Sequence, residues 1–169
     1  MEQSPSQLQL RLVAASYAMV GAVSALLIFN RYLVYVRNPQ DVAAAGGMYA
    51  GGDLLLELII CVLLLVPTSA LVFVIRKSES YYTAYAKVLL GVSLTAPLSV
   101  IALVIPVLNQ WYWGDAIIFR LFAIPLVLVV LIGSRWLTRF TRARQLISYA
   151  LLIEGLTLVL IFGSLFLFS

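Results

Sequence analysis

The chain has 169 residues, of which 63% are hydrophobic and 11% are charged, with a mean hydropathy of +1.06. A soluble domain of this size could not bury so much apolar surface, so the composition excludes a water-soluble fold and indicates an integral membrane protein. The absence of histidine excludes imidazole metal sites and His-dependent catalysis, and the single cysteine, Cys61, excludes an internal disulfide. We expect no cofactor and no metal ion, and we attribute the net charge of +4 to loop arginines and not to a nucleic-acid partner.

Five apolar segments are each close to the ~20 residues that a helix needs to cross the hydrocarbon core. Unpaired strands cannot span a bilayer. We therefore predict an all-α, polytopic membrane helical bundle of about five transmembrane helices, in a single membrane domain over residues 1–169. A signal peptide is the competing interpretation of the first segment, and we disfavour it because the apolar run is longer than an ordinary h-region. The predicted spans are residues 12–35, 53–75, 88–108, 116–136 and 146–168.

Two acidic residues lie at the start of the second span. The glycine-rich residues 46–52 before it are predicted to form a flexible connector. Asp53 follows two glycines and is placed to cap the helix N-terminus, and Glu57 lies one turn deeper on the same face. An ionisable group inside a membrane needs a partner. We expect Arg120, at similar depth on the fourth span, to be the neighbour of Glu57, with Arg31 on the first span as the alternative.

Glu154 is the most informative ionisable residue because it lies roughly two turns inside the fifth span, in otherwise uncharged sequence. We expect no basic residue at its depth, and an unpaired carboxyl group there is expected to be neutral. The predicted neighbours are hydroxyls, from Ser93 and Thr95 on the third span and from Thr68 and Ser69 on the second. Glu154 is therefore either a protonatable or cation-coordinating group, or a packing element that hydrogen-bonds across helices.

Basic and aromatic residues mark the predicted ends of the spans. Arg135, Arg139 and Arg142 are spaced for one helical face, which predicts an interfacial segment that contacts anionic lipid headgroups. Plain topology-setting charge is the alternative interpretation, and it is the one we favour. Tyr81, Tyr82 and Tyr85, before the third span, are predicted to anchor it at headgroup depth.

The positive charges predict an orientation. The second connection contains Arg76, Lys77 and Lys87, and the fourth contains four arginines, whereas the third, residues 109–115, contains no basic residue. Because cytoplasmic loops collect positive charge, we expect a cytoplasmic N-terminus and an outside C-terminus in a plasma or inner membrane. Arg31 and Arg37, at the outer end of the first span, conflict with this orientation.

The sequence contains no recognisable set of catalytic residues. We interpret the protein as a non-enzymatic accessory or binding bundle with the lipid bilayer as its partner, working in a protein complex or as a homo-oligomer. The alternatives are a small-solute or proton-coupled transporter that uses Glu154, and a lipid-handling enzyme that uses the basic inner segment. A water-accessible cavity at Glu154 would favour the transporter, and a carboxylate open to the inner headgroup layer would favour the enzyme.

Overall fold

The described part of the chain folds into helices. A computed structural model describes residues 7–105 and 113–167, and all regular structure in these ranges is α-helical. Four helices are long and apolar enough to cross a membrane, and a shorter apolar helix accompanies them. The protein is an all-α, multi-pass membrane helical bundle, so this prediction is confirmed. In chain order the described helices are α1 (Gln7–Arg37), α2 (Pro39–Ala44), α3 (Gly46–Ile75), α4 (Glu79–Val104), α5 (Trp113–Phe122), α6 (Ile124–Leu137) and α7 (Thr141–Leu167).

The glycine-rich segment before the second predicted span is helical. Residues 46–52 form the first two turns of α3, so the prediction of a flexible connector is wrong. Glycine costs about 1 kcal/mol relative to alanine in a helix interior. A backbone close to the hydrocarbon must nevertheless satisfy its hydrogen bonds within the segment, and this requirement outweighs the propensity. The connection between α1 and α3 is instead the short helix α2 with one residue on either side.

The fourth predicted span consists of two helices, α5 and α6, separated by Ala123. Ala123 keeps a right-handed helical backbone, and its N–H donates to the carbonyl of Phe119 at 3.0 Å. Pro125 has no N–H, so the carbonyl of Leu121 loses its usual helical donor. At 1.5 Å per residue, α6 alone is too short for a hydrocarbon core of about 30 Å. Both helices together are needed to cross it.

The structure divides into two compact units. Among the described residues, the first contains residues 7–71, with α1, α2 and most of α3, and the second contains those from Val72 onwards. The end of the third predicted span, residues 106–108, and residue 168 of the fifth lie outside the described residues. The exact span boundaries and the single domain over residues 1–169 stay predictions.

In the second unit, α4 packs mainly against α7, with α5 against α4 and α6 against α7. Small side chains are fully buried on both of the central helices, Ala86 and Ala96 on α4 and Ala143 and Ala150 on α7. Alanine lets two helix backbones approach closely, which favours van der Waals packing where lipid is the solvent. This close α4–α7 pair is the frame that positions the polar side chains described below.

Candidate functional site

The second unit encloses an ion pair between Arg120 of α5 and Glu154 of α7. Nη2 of Arg120 donates to Oε1 of Glu154. The Glu154 side chain is completely buried, and 15% of the Arg120 side chain is exposed. Arg120 lies in the last turn of α5, just before the proline interruption, and its long side chain carries the charge to α7. An ion pair at this depth links two membrane helices that are not consecutive in sequence.

The helix α4 contributes the remaining partners of Arg120. Nε donates to Oγ1 of Thr95 at 2.7 Å, and Nη2 donates to the carbonyl oxygen of Val92 at 3.0 Å. The Thr95 hydroxyl donates to the same Val92 carbonyl at 2.6 Å. Pro97 also leaves the carbonyl of Ser93 without its helical donor, so this part of α4 is unusually polar. Arg120 therefore joins α4, α5 and α7 through one guanidinium group.

Three buried polar atoms around the ion pair make no hydrogen bond of ordinary geometry among the described residues. They are Oε2 of Glu154, Nη1 of Arg120 and Oγ of Ser93, whose side chain lies beside the carboxyl group of Glu154. A buried polar group without a partner is costly, and native structures usually satisfy it with protein or with ordered water. Together these atoms present a donor, an acceptor and a hydroxyl that can do either. The cluster has the chemistry to hold one further small polar group.

The prediction that no basic residue reaches the depth of Glu154 is wrong. Arg120 lies seven residues after Trp113, the start of α5, and Glu154 lies thirteen residues after Thr141, the start of α7. These antiparallel helices therefore carry the residues about 10 Å and about 20 Å inward, which together match a hydrocarbon core of about 30 Å. Helices α5 and α7 begin before the predicted spans, so depths counted from residues 116 and 146 leave a gap between the two charges that the structure does not have.

The second unit thus brings together Glu154, Arg120, Thr95 and Ser93. Glu57 lies in the first unit, and its predicted pairing with Arg120 stays a prediction. Arg120 has Glu154 as its carboxylate partner, so it does not depend on Glu57 for one.

Thr68 and Ser69, the other predicted neighbours of Glu154, also belong to the first unit, and their place beside Glu154 stays a prediction. The hydroxyls of Thr68 and Tyr17 share a hydrogen bond of 2.9 Å between α3 and α1. Ser69 donates to the carbonyl of Val66 at 2.8 Å, within α3.

The first unit contains a second ion pair, which the sequence analysis missed. Nε of Arg31 donates to Oδ1 of Asp53 at 2.5 Å, and Nη2 donates to the carbonyl of Tyr49 at 2.6 Å. The hydroxyl of Tyr35 donates to the other carboxylate oxygen of Asp53. The guanidinium carbon lies 5.1 Å and 5.0 Å from the ring centroids of Tyr35 and Tyr49, within range of a cation–π interaction.

Asp53 is therefore not a helix N-cap, and that prediction is wrong because α3 begins at Gly46. Its carboxylate instead neutralises Arg31, which was considered as a partner of Glu57. The signal that could have revealed the pair was the conflict of Arg31 with the predicted orientation. A basic residue near the end of one span and an acidic residue near the start of the next meet readily in a helical hairpin.

The three arginines predicted to share one helical face do not lie on one helix. Helix α6 ends at Leu137 and α7 begins at Thr141, so Arg135 is on α6, Arg139 is in the connection and Arg142 is on α7. The prediction of a common face is wrong because the helix ends between them. A cleft of about 320 Å³ lies here instead, lined from the two helices by Arg135, Thr141, Arg144, Gln145, Ser148 and Tyr149.

Two of the tyrosines predicted to anchor α4 in the headgroup layer, Tyr82 and Tyr85, contact α6. Tyr82 is completely buried, and its hydroxyl donates to the carbonyl of Ser134 at 2.6 Å. The hydroxyls of Tyr85 and Ser134 share a hydrogen bond of 3.1 Å. The headgroup prediction is wrong for Tyr82, because its ring packs inside the bundle, against Phe140 at a centroid distance of 6.3 Å. These contacts hold the end of α6 to the start of α4.

Comparisons with other proteins add no relative. The chain matches no protein-family model, and comparison with curated proteins and with solved structures finds no match either. Among the described residues, no group of three Cys, Asp or Glu side chains is arranged to hold a metal ion. The case for function therefore depends on the geometry of the polar cluster, the ion pairs and the cleft.

Proposed function

We propose that the protein is a non-enzymatic accessory or binding bundle whose polar interior fixes the arrangement of its helices. The observation that carries this proposal is the buried Arg120–Glu154 ion pair, in which Arg120 also bonds to Thr95 and Val92. The pair and these bonds connect α4, α5 and α7. A charged pair whose hydrogen bonds connect three helices acts as a fixed cross-link inside the membrane.

The burial of Glu154 argues against a lipid-handling enzyme. That alternative needs a carboxylate that opens to the headgroup layer, where a general acid or base could reach the substrate proton. Glu154 is completely buried, and one of its oxygens is held by Arg120. A carboxyl group in this position supports helix packing better than it supports proton transfer to a lipid.

A proton-coupled carrier is the second candidate, and one observation favours it. Oε2 of Glu154, Nη1 of Arg120 and Oγ of Ser93 are buried without a hydrogen bond of ordinary geometry among the described residues, and the Ser93 side chain lies beside the Glu154 carboxyl group, as in a site that receives a proton or a small solute. The proline interruption between α5 and α6, three residues after Arg120, would allow that segment to bend. This combination is typical of broken helices at the binding sites of transporters.

Proton flux into liposomes separates the two candidates. The purified protein is reconstituted with a pH-sensitive dye inside, and an inward proton gradient is imposed. We expect the flux to equal that of protein-free liposomes. A flux that Glu154→Gln abolishes, while the exposed-site control Arg142→Gln retains it, would replace the accessory role with the carrier. Circular dichroism of each variant checks that the helices have formed.

We further propose that the second and fourth connections face the cytoplasm, with the N-terminus inside and the C-terminus outside a plasma or inner membrane. The basic residues of these connections support this orientation. The ion pair of Arg31 with Asp53 weakens the main objection, because a neutralised arginine adds little net positive charge to the outer side.

A further inference from the structure

The basic cleft between α6 and α7 has a positive charge that nothing in the described structure neutralises. Its lining contains two arginines and no acidic residue. The guanidinium groups of Arg135 and Arg144 have no ion pair, hydrogen bond or ring contact among the described residues. By contrast, Arg31 and Arg120 pair with carboxylates, and Arg76 lies 3.6 Å over the ring of Phe73. The two cleft arginines are thus available to an anionic ligand from outside the chain.

The cleft extends from the end of one membrane helix along the first turns of the next. Arg135 is in the last turn of α6, and Arg144 is near the start of α7. Tyr149 lies eight residues after Thr141, which places it about 12 Å along the helix from that end. The cleft therefore has a charged end at the helix termini and an exposed aromatic ring deeper along the span. This polarity matches a lipid, which carries charge at one end and hydrocarbon at the other.

We propose that this cleft binds the phosphate-bearing headgroup of an anionic membrane lipid. Arg135 and Arg144 donate to the phosphate oxygens, since a planar guanidinium matches the geometry of a phosphate group. Gln145 supplies a further polar contact, and the ring of Tyr149 lies against the glycerol and the upper acyl chain. The volume of about 320 Å³ is within the range of small-ligand sites. The inference rests on the proposed binding role, to which it gives a ligand class.

Two other regions of the molecule do not support the proposal of a new site. The cluster at Glu154 belongs to the site already described, and the exposed apolar faces of α1 and α3 show nothing that identifies an occupant other than lipid chains.

Titration with a short-chain anionic lipid tests the site. The whole protein in non-ionic detergent is titrated with dioctanoyl phosphatidylglycerol, and the thermal unfolding midpoint is measured at each concentration. We expect this lipid to raise the midpoint, with an apparent Kd that increases about tenfold or more in Arg135→Gln/Arg144→Gln, the size of one charge-assisted hydrogen bond. Dioctanoyl phosphatidylcholine and inorganic phosphate at the same concentrations should give no comparable shift.

The chain offers a matched control in the same segment. Arg139→Gln/Arg142→Gln removes the same charge from exposed positions that do not line the cleft, and it should change the apparent Kd by less than about twofold, because its arginines act only through the screened surface field. Arg135→Lys/Arg144→Lys keeps the charge and loses the planar fork, so it should bind more weakly than the wild type and more tightly than the glutamine variant.

Three results would overturn the inference. Equal weakening in the two glutamine double variants would mean diffuse surface attraction, and the absence of any lipid-dependent shift would mean no site. An equal shift with inorganic phosphate would assign the cleft to a free anion. Each of these outcomes leaves the proposed accessory role intact, whereas Glu154-dependent proton flux would remove that role and leave the lipid titration unchanged.

Discussion

Removing one charge of the Arg120–Glu154 pair should destabilise the protein far more than removing both. Arg120 carries the positive charge that pairs with the Glu154 carboxylate, so Arg120→Met leaves that carboxylate buried without a counter-charge, at a cost of about 3–5 kcal/mol. Glu154→Leu leaves Arg120 its bonds to Thr95 and Val92, so we expect a smaller cost of about 1.5–3 kcal/mol. The Val92 carbonyl keeps the Thr95 hydroxyl as a donor in both variants.

The double variant Arg120→Met/Glu154→Leu replaces both charges with apolar groups of similar length. The double variant leaves no buried charge without a partner. We therefore expect it to lower the free energy of unfolding by about 1 kcal/mol or less, which gives a coupling energy of several kcal/mol between the two side chains. Equilibrium unfolding in mixed micelles, followed by circular dichroism while the denaturing detergent is increased, measures each free energy. Glu154→Gln keeps an acceptor for Arg120 and serves as the milder variant where Arg120→Met does not fold.

The exposed arginine of α7, Arg142, provides the control, and Arg142→Met should change the free energy of unfolding by no more than about 0.5 kcal/mol. The reasoning is refuted if the costs of Arg120→Met and Glu154→Leu add to that of the double variant within about 0.5 kcal/mol. Additivity would mean that the two side chains do not share an energetic contact, whatever their distance.

Three further features predict the results of mutation or reporter fusion. They are the Tyr82 hydroxyl contact of α4, the Arg31 ion pair and the charged connections. Tyr82→Phe should cost about 1 kcal/mol, because the Ser134 carbonyl keeps a backbone donor, while the exposed Tyr81→Phe should cost almost nothing in the same unfolding assay. Asp53→Asn should lower the free energy of unfolding by about 1 kcal/mol or more, because it removes the carboxylate that accepts from Arg31 and Tyr35, and an unchanged free energy would contradict this reasoning. A reporter fused after the last residue should be active outside, and one in the α3–α4 connection should be active in the cytoplasm; cytoplasmic activity of the first fusion would contradict the proposed orientation.

Composition and hydropathy were sufficient to predict the class of fold. Hydrocarbon cannot satisfy backbone hydrogen bonds, so long apolar segments in a bilayer have to be helical, and this rule does not depend on tertiary contacts. The same reasoning singled out Glu154, because an ionisable group within an apolar segment is costly wherever it faces lipid. Arg120 was also recognised as a residue that needs a partner.

The identity of the partners depended on the tertiary structure. Whether two charges on different helices meet is set by where each helix begins, and α3, α5 and α7 begin three to seven residues before the predicted spans. A shift of a few residues moves a side chain by about 5 to 10 Å along the helix axis, enough to pair Asp53 with Arg31 and Arg120 with Glu154. Hydropathy is a sum over many residues and changes gradually at the ends of a span, so it cannot supply that precision.

The basic cleft was likewise predicted in part from the sequence and decided in part by the tertiary structure. The excess of arginine after the fourth predicted span was evident from the sequence, and so was its affinity for an anionic surface. The break in the helix at residues 138–140 decided which of these arginines share a cleft, and it brought Arg144 beside Arg135 in place of Arg139 and Arg142. Charge is a property of the residues and can be counted along the chain, whereas the direction in which each charge points is decided by where the backbone turns.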